Sequence, residues 1–519
     1  MSKPIALTSL LLAGCYGNGD HEIEGGLWNT ETVSTADATY VQLPSSNQLI
    51  RINETPNGGT WSIVDLDGAQ PTSMIAAPDE AQVLVFARWA ECKDTDDEIV
   101  NIDDCPAEDL VWHTELAAVE EGVRTSVSEI APHMNTVAFS DDGTVAVAYL
   151  DYTAGADIEI DGLADLGEVR FINLLDGSVG SASVGFSPSK VLFSTDGTSA
   201  VVMSRSKVVK VDLNTFEKVL EAPLTLDADA QVDPSGAELT PDGSTLLITV
   251  EGSSDLYMLD LETVYWNIGS LGAVPSTLSV DAVTDTSVFV FSSQSEVNVL
   301  DNSRLDVFSQ ESIESIDLEE PANEIRMTDG MALLFNTSGT DYHDVYRLDL
   351  SNSDLIEYVV SNPVSQMRLT ESGQTAVAIL RPESSSSNDL DGYQDARWGL
   401  AVIDMTGDEV ISLVTESQPV GLELVEDADG SAYALVLLDG LDYLLHVDLS
   451  NPGEAEQIDL PAPPISIDAL PDGRFLIAHD APLGLLTYLD PTDLSQNSVS
   501  GFATAGLFTD EVLPRTDEE

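Results

Sequence analysis

The stretch Met134-Asn-Thr-Val-Ala-Phe-Ser-Asp-Asp-Gly-Thr-Val-Ala-Val-Ala-Tyr-Leu150 decides the fold of this 519-residue chain. A short apolar run ends at Phe139, a turn follows at Asp142-Gly143, and an alternating apolar run starts at Val145. Two β-like runs joined through Asp-Gly predict a hairpin, because glycine adopts positive φ angles without a Cβ clash. The stretch is therefore predicted to fold as two antiparallel strands.

The same phrase recurs along the chain. Each copy has an apolar run, one or more polar residues and a turn that ends in glycine, and the copies lie at 191–197, 237–243, 325–330, 367–373, 422–430 and 467–473. A further strand-like run follows each hairpin and commonly ends in Asp, as in Val208-Val-Lys-Val-Asp-Leu213. About ten such units can be counted, spaced by about 43 to 46 residues where nothing is inserted. A period of that length with three visible strands and a weaker fourth is typical of β-propeller blades.

Two of these phrases also carry a family resemblance. The pattern F-S-x-D-G-T-x-x-V occurs at Phe139–Val147 and Phe193–Val201, and V-x-V-D-L follows at Val209–Leu213. In these residues the chain resembles YVTN/lactonase-like and WD-repeat-like propellers. The resemblance implies an all-β fold of four-stranded blades. The count of about ten units indicates seven to ten blades, with a single ring favoured over two rings. The resemblance implies no chemistry, since one fold hosts many functions.

The composition excludes some classes of partner. The chain has 91 Asp and Glu residues against 19 Lys and Arg, which gives a formal net charge of -72. Such a surface repels phosphate backbones, so nucleic acid is not an expected partner. A hydrophobic content of 43% is too high for a mostly disordered protein. Adaptation to a saline habitat is one interpretation of the charge, and a general surface-protein character is the other.

The first fifteen residues resemble the leader of bacterial lipoproteins. One positive charge and a mainly apolar run precede Leu12-Ala-Gly-Cys15, which is similar to a lipobox. The resemblance implies a signal peptide over residues 1–14 and lipid attachment at Cys15. It also implies a place in the cell envelope, with the protein facing the periplasm or the cell surface and held to the membrane by lipid alone. The alternative is a chance apolar terminus with a free thiol.

These features divide the chain into four predicted segments. They are a signal peptide (1–14), a flexible lipid-anchored tether (15–36), the β-propeller (37–510) and an acidic C-terminal tail (511–519).

The two remaining cysteines, Cys92 and Cys105, are predicted to form a disulfide, because an extracytoplasmic compartment is oxidising. The alternative of a zinc site has only His113 as a nearby further ligand.

Three units are longer than the others. The inserted residues are 91–109, 151–165 and 382–397, and each insertion lies between the second and third predicted strands of its unit. Because strands alternate in direction, all three are predicted to emerge on one face of a propeller. Inserted loops on one face of a repeat array commonly form a binding surface, here for a protein or a glycan.

Two of the insertions carry oxygen ligands of the kind that Ca²⁺ prefers. The candidate calcium ligands are Asp94, Asp96, Asp97, Asp103, Asp104, Asp389, Asp391 and Asp395. The first five faintly resemble the Asp-rich calcium repeats of thrombospondin type 3, without the central glycine. The alternative is that these acidic loops are simply solvated.

Catalytic motifs are absent from the sequence, and no catalytic residue is predicted. The recurring Asp at the ends of the third predicted strands is interpreted as a turn residue that binds the backbone two positions on; these residues are Asp65, Asp212, Asp260, Asp349, Asp404 and Asp448. Trp89 and Trp398 flank insertions and are candidates for facing a ligand, with core packing as the alternative.

Three functions are compatible with these observations, and the third, after the two that follow, is a purely structural envelope protein. The favoured one is a binding or scaffold module that uses an acidic, loop-decorated face, and the alternative is a metal-dependent enzyme similar to lactonases or hydrolases. Three or four Asp, Glu or His side chains that converge at the mouth of the central channel would favour the enzyme, and scattered carboxylates would favour the module.

Overall fold

Short antiparallel sheets dominate the fold of the described residues. The computed structural model describes residues 32–43, 47–55, 58–78, 81–92, 105–106, 110–151, 165–224, 232–307, 312–339, 341–383, 394–427 and 430–503. Within these ranges the strands form ten sheets, each of four strands. In every sheet the four strands are consecutive in the chain and hydrogen-bonded in sequence order. Each sheet is one blade of a β-propeller.

The strands of blades 1 to 5 are β1 (Thr32–Ser34), β2 (Thr39–Leu43), β3 (Gln48–Thr55), β4 (Gly58–Val64), β5 (Gln70–Ala76), β6 (Gln82–Cys92), β7 (Leu110–Glu120), β8 (Val123–Ile130), β9 (Thr136–Phe139), β10 (Val145–Tyr149), β11 (Glu168–Asn173), β12 (Val179–Ser183), β13 (Pro188–Phe193), β14 (Ser199–Ser204), β15 (Lys207–Asp212), β16 (Glu217–Pro223), β17 (Pro234–Leu239), β18 (Thr245–Val250), β19 (Asp255–Asp260) and β20 (Tyr265–Ser270).

The strands of blades 6 to 10 are β21 (Thr277–Asp281), β22 (Thr286–Val290), β23 (Glu296–Asp301), β24 (Ile313–Asp317), β25 (Glu324–Thr328), β26 (Met331–Phe335), β27 (Asp344–Asp349), β28 (Asp354–Val359), β29 (Val364–Leu369), β30 (Thr375–Leu380), β31 (Gly399–Asp404), β32 (Val410–Val414), β33 (Pro419–Glu426), β34 (Ala432–Leu438), β35 (Tyr443–Asp448), β36 (Glu456–Asp459), β37 (Pro464–Ala469), β38 (Phe475–His479), β39 (Leu485–Leu489) and β40 (Gln496–Ser500). A short 3-10 helix, Asn302–Val307, follows β23.

The recurring Asp-Gly turn joins the first two strands of a blade, as the sequence predicts. Between β9 and β10, Gly143 has a φ of 69°, which favours glycine. Asp142 Oδ1 accepts hydrogen bonds from Ser140 Oγ at 2.7 Å and from the Thr144 backbone N–H at 3.0 Å. The Ser and Asp side chains therefore replace water as partners of the turn backbone.

The sheets pack face to face around an axis and close on themselves. First strands of neighbouring blades contact each other, as β17 contacts β21 and β21 contacts β25, so the first strands line the central channel. The described residues form ten buried apolar clusters, and each cluster joins two neighbouring blades. One of them packs Val41 and Ile50 of blade 1 against Leu476 and Tyr488 of blade 10. The prediction of a single ring is confirmed, and the blade number is ten.

The first blade differs from its prediction in one respect. Asp65 is predicted to end a third strand, but the residues before it, up to Val64, belong to β4, the fourth strand. The missing strand is β1, which is only three residues long and pairs with β2. It lies before residue 37, where the sequence predicts the propeller to begin, and no Asp-Gly turn follows it.

The recurring Asp residues are turn residues. All six accept a hydrogen bond at Oδ1 from the backbone N–H two positions on, at 2.8 to 2.9 Å. Five of them stand at the end of a third strand, and Asp65 follows the fourth strand of blade 1. The structural interpretation of these residues is therefore correct.

Several predictions fall on residues outside the described ranges. They are the signal peptide, Cys15, most of the tether and the acidic C-terminal tail. Across the described ranges, no helix has the length and apolar character that crossing a bilayer requires.

Candidate functional site

The three insertions occupy equivalent places in their blades. They connect β6 to β7, β10 to β11 and β30 to β31, which are the second and third strands of blades 2, 3 and 8. We call the side of the ring on which second strands connect to third strands the loop face, and the side with the Asp-Gly turns the hairpin face. Because strand order is the same in every blade, all three insertions leave and re-enter their blades on the loop face.

The longest strands that lead to the loop face belong to blade 2. Its strands β6 and β7 are each 11 residues long, whereas no other described strand exceeds eight. Cys92 ends β6, and Cys105 belongs to the connection that follows. Their sulfur atoms are 2.08 Å apart and their Cα atoms 5.8 Å apart. The structure thus brings the predicted pair together in a geometry that can hold a disulfide.

An aromatic pair supports the base of this hairpin. Trp89 and His113 are directly opposite each other on β6 and β7, and their rings stack with centroids 4.0 Å apart. His113 Nδ1 lies 3.1 Å from Glu129 Oε1, and His113 Nε2 lies 3.4 Å from Glu91 Oε2. Trp89 also packs against the apolar cluster between blades 1 and 2. Trp89 therefore supports the hairpin through packing. The ring nitrogens of His113 face carboxylates and not the cysteines.

The most exposed aromatic ring of this hairpin is one that the sequence did not indicate as functional. Trp112 is 41% exposed and is paired with Ala90 across β6 and β7. It lies one position from His113, so the alternation of a β-strand sends its ring to the opposite side of the sheet. Strand alternation around the Trp89–His113 pair is the signal that could have found it.

Asparagine side chains fix the bases of the other two insertions. In blade 3, Asn135 Oδ1 accepts from the Asp151 backbone N–H at 2.7 Å, and Asn135 Nδ2 donates to the Asp151 carbonyl at 3.0 Å. In blade 8, Asn362 Nδ2 donates to the carbonyls of Arg381 and Asp395, at 3.1 and 2.8 Å. Each Asn lies just before the first strand of its blade, so the stem of the insertion is tied to the inner part of the sheet.

Only one of the eight candidate calcium ligands lies within the described ranges. This residue is Asp395, whose carbonyl also accepts from the Glu383 backbone N–H at 2.5 Å. Glu383 Oε2 in turn lies 3.2 Å from His343 Nε2 of blade 7. The remaining candidates, Asp94, Asp96, Asp97, Asp103, Asp104, Asp389 and Asp391, fall outside these ranges.

Trp398 lies at the other end of the blade 8 insertion and packs inward. It is partly buried against the apolar cluster between blades 8 and 9. Its backbone carbonyl accepts a hydrogen bond from the Thr415 N–H at 2.9 Å. This position favours the core-packing interpretation over a ligand-facing one.

A second group of polar side chains lies on the inner strands and was not identified from the sequence. Arg368 of β29 reaches Glu423 of β33, with 2.6 Å between Nη2 and Oε1. Asp468 of β37 accepts a hydrogen bond from Thr32 Oγ1 of β1 at 3.1 Å. Burial raises the pKa of Glu423 to about 7, Arg368 opposes this rise, and the negative charge of Asp468 adds to it. Burial also raises the pKa of Asp468.

The enzyme hypothesis predicts a convergence of metal ligands at the channel. In the part of the chain that the structure describes, no three His, Cys, Asp or Glu side chains are grouped so that they could hold a metal ion. The inner-strand carboxylates are instead combined with a guanidinium and a hydroxyl.

Comparison with known proteins identifies no family and gives distant likenesses to solved structures. No family model matches the chain, and no curated protein matches it. A chain of hydrazine synthase from Kuenenia stuttgartiensis is similar in structure at 15% identity and a TM-score of 0.34, covering 59% of this chain and 96% of that one. The dihydro-heme d1 dehydrogenase NirN, solved in complex with DHE, gives 15% identity and a TM-score of 0.36, with 64% and 71% covered. The β-propeller domain of Cps50 (Swd1) from Myceliophteria thermophila gives 13% and 0.35, with 64% and 98% covered. Likenesses at these TM-scores carry no argument about fold or activity.

Proposed function

We propose that the chain is a lipid-anchored, extracytoplasmic β-propeller that acts as a binding or scaffold module of the bacterial cell envelope. Its loop face supplies the binding surface, and the partner is a protein or a glycan. The supporting observation is the placement of three insertions between the second and third strands of blades 2, 3 and 8, which puts them on one face. Rigid strands hold the stems of these loops, which is how binding loops are commonly presented.

The proposal includes a cellular location. Cys15 is the attachment point of the lipid, and the propeller faces the periplasm or the cell surface. The closeness of Cys92 and Cys105 suits an oxidising compartment outside the cytoplasm. The net charge of -72 argues against nucleic acid as the partner.

The binding role is tested by shortening the loops. One variant replaces residues 93–104 with a short Gly-Ser linker, and a second replaces residues 384–393 in the same way. We expect both to lose partners that the wild-type protein captures from envelope extracts. The matched control carries Asp141→Asn and Glu371→Gln, which neutralise two exposed carboxylates of the hairpin face. A partner lost equally from the control would contradict binding at the loop face.

The location is tested separately by Cys15→Ala. We expect this variant to leave the membrane fraction of a bacterial host and to lose labelling by a palmitate analogue. The double variant Cys92→Ala and Cys105→Ala serves as the control, because it removes the other two cysteines without touching the lipobox and leaves no unpaired thiol behind. Unchanged membrane partition of Cys15→Ala would remove the lipid anchor from the proposal.

A further inference from the structure

A cavity of about 150 Å³ lies between blade 1 and blade 10, on the hairpin face. We call it the seam cavity. Its walls come from the β1–β2 connection, the end of β3, the β37–β38 turn and Tyr488 of β39. The connection is Thr35-Ala-Asp-Ala38, at a place where most other blades have a turn that ends in glycine. A cavity of this size holds a molecule about as large as benzene.

The Tyr488 hydroxyl group is an unpaired polar group in the wall of this cavity. Tyr488 is only 4% exposed, and its oxygen has no hydrogen-bond partner among the described residues. Burial raises the pKa of Tyr488 to about 12, against a lowering by the nearby Thr39 hydroxyl, which is itself 3.1 Å from Ser34 Oγ. The group is therefore a neutral hydroxyl at physiological pH. Because a buried hydroxyl without a partner is unfavourable, its position indicates a ligand that hydrogen-bonds to it.

The charged groups of the seam cavity are in negative excess. Asp37, Glu54 and Asp472 line it together with one cation, Arg474. The Arg474 guanidinium lies 2.5 Å from Glu54 Oε2 and 2.6 Å from Asp472 Oδ2. Arg51, which is not part of the lining, lies 2.7 Å from Asp37 Oδ2. Even with Arg51 counted, three carboxylates face two guanidinium groups, so the cavity disfavours an anion and favours a ligand with one positive charge.

The rest of the lining decides the kind of cation. Ile52 and Leu470 line the cavity and belong to the apolar cluster that joins blades 1 and 10, so an alkyl group can pack against them. A bare metal ion is less suited, because Glu54 and Asp472 already accept N–H groups from Arg474. An ammonium group has three N–H donors and no acceptor, which suits carboxylate oxygens with a free lone pair and an unpaired hydroxyl.

We propose that the seam cavity binds a small organic cation that carries a primary ammonium group. The ammonium group donates to Tyr488 Oη and to the carboxylates of Glu54 and Asp472. The alkyl part packs against Ile52 and Leu470. The cavity opens on the hairpin face, on the opposite side of the ring from the loop face, so it is a second binding site that does not depend on the proposed function.

Calorimetric titration of the full chain with ethylammonium chloride tests this site. A high concentration of NaCl, about 0.5 M, screens the general attraction of cations to a chain of net charge -72. Tyr488→Phe removes only the hydroxyl oxygen. The matched control is Tyr358→Phe, because Tyr358 is 2% exposed and its hydroxyl donates to the Gly407 carbonyl at 3.0 Å, away from the seam. We expect Tyr488→Phe to weaken ethylammonium binding at least about tenfold and Tyr358→Phe to leave it unchanged.

Competition by tetramethylammonium provides a test on the wild-type protein alone, which stays valid if a variant fails to fold. This cation has the same charge but no N–H group, so we expect it not to displace ethylammonium. Three outcomes would overturn the proposal. They are the absence of saturable ethylammonium binding, which would assign the Tyr488 oxygen to water alone, equal binding of the two cations, which would indicate general charge attraction, and equal weakening in the two variants.

Discussion

Glu54 of blade 1 and Arg474 of blade 10 form an ion pair across the seam where the ring closes, with 2.5 Å between Oε2 and Nη1. Glu54 Oε1 also accepts a hydrogen bond from Asn497 Nδ2 of blade 10 at 2.6 Å. Neither blade borrows a strand from the other end of the chain, since β1 to β4 and β37 to β40 are consecutive in sequence. Closure of the ring therefore depends on side-chain contacts, and Glu54 is the polar centre of these contacts.

The first prediction concerns this seam. Glu54→Ala removes the acceptor of both Arg474 and Asn497, and Glu54 is only 17% exposed. Hydrogen bonds to charged groups contribute about 1.5 to 3 kcal/mol, so we expect the free energy of unfolding to fall by about 2 kcal/mol. The measurement is the shift of the urea unfolding midpoint. The control is Glu221→Ala, because Glu221 is 47% exposed and its ion pairs should contribute less than about 1 kcal/mol. Equal shifts in the two variants would contradict a larger contribution of the seam contacts to the free energy of unfolding.

The second prediction is a pH dependence that comes from Glu423. Its pKa of about 7 in the folded ring is above the ordinary value of 4.5, so the unfolded chain ionises first as the pH rises. The contribution of Glu423 to stability is therefore fully present below pH 4.5 and is lost between pH 4.5 and about 7. Each pKa unit is about 1.4 kcal/mol, so the loss amounts to about 1 to 3 kcal/mol.

Comparison with Glu423→Gln isolates this carboxyl. His133, His446 and His479 act in the opposite direction, because burial lowers the pKa of each, and their contribution is lost as the pH falls below 6.5. They are present in both proteins and cancel in the difference. We expect the difference in unfolding free energy between wild type and Glu423→Gln to change between pH 5 and pH 8. The wild type should become less stable relative to the variant at the higher pH. A difference that is constant with pH would contradict the raised pKa.

The fold could be predicted from sequence because its determinants are local. A turn such as Asp142-Gly143 and the strands on either side lie within about fifteen residues, and the pattern repeats in nearly every blade. Strand β1 of blade 1 is the exception, and it fails for the same reason: it has no local signal. β1 has three residues and no glycine turn, so nothing local identifies it as a strand, and the strand assignment of blade 1 was shifted as a result.

The polar contacts of the ring could not be predicted in the same way. Arg368 and Glu423 are 55 residues apart, and Glu54 and Arg474 are 420 apart. Their meeting depends on the register of the inner strands and on which blades become neighbours at closure. The pairing pattern of a single sheet does not contain that information. Periodicity identifies the blades, and packing between blades decides which charges face each other.

The third prediction concerns the pair Cys92 and Cys105. Their sequence separation is 13, and closing a loop of that size is worth about 3 kcal/mol in the chain-entropy model. We expect mass spectrometry under non-reducing conditions to find the two cysteines joined. We also expect the double variant Cys92→Ser and Cys105→Ser to unfold at a lower urea concentration. Dithiothreitol should produce the same shift in the wild type and none in the variant. Two thiols that react with an alkylating agent in the untreated protein would refute the disulfide.

The fourth prediction concerns calcium. The acidic loops of blades 2 and 8 offer oxygen ligands, and a cation that binds only the folded state raises stability by mass action, by about 2.7 kcal/mol at a concentration a hundredfold above Kd. We therefore expect millimolar Ca²⁺ to raise the melting temperature.

Charge screening produces a rise of its own in a chain of net charge -72, so the comparison is made against Mg²⁺ at the same concentration. Two variants separate the loops: one replaces Asp94, Asp96, Asp97, Asp103 and Asp104 with Asn, and the other replaces Asp389, Asp391 and Asp395 with Asn. A calcium-specific rise that one variant abolishes and the other retains would place the ion in a single insertion. Equal rises in melting temperature with Ca²⁺ and Mg²⁺ that persist in both variants would indicate that these loops bind no calcium and are simply solvated, because general screening requires no particular carboxylate.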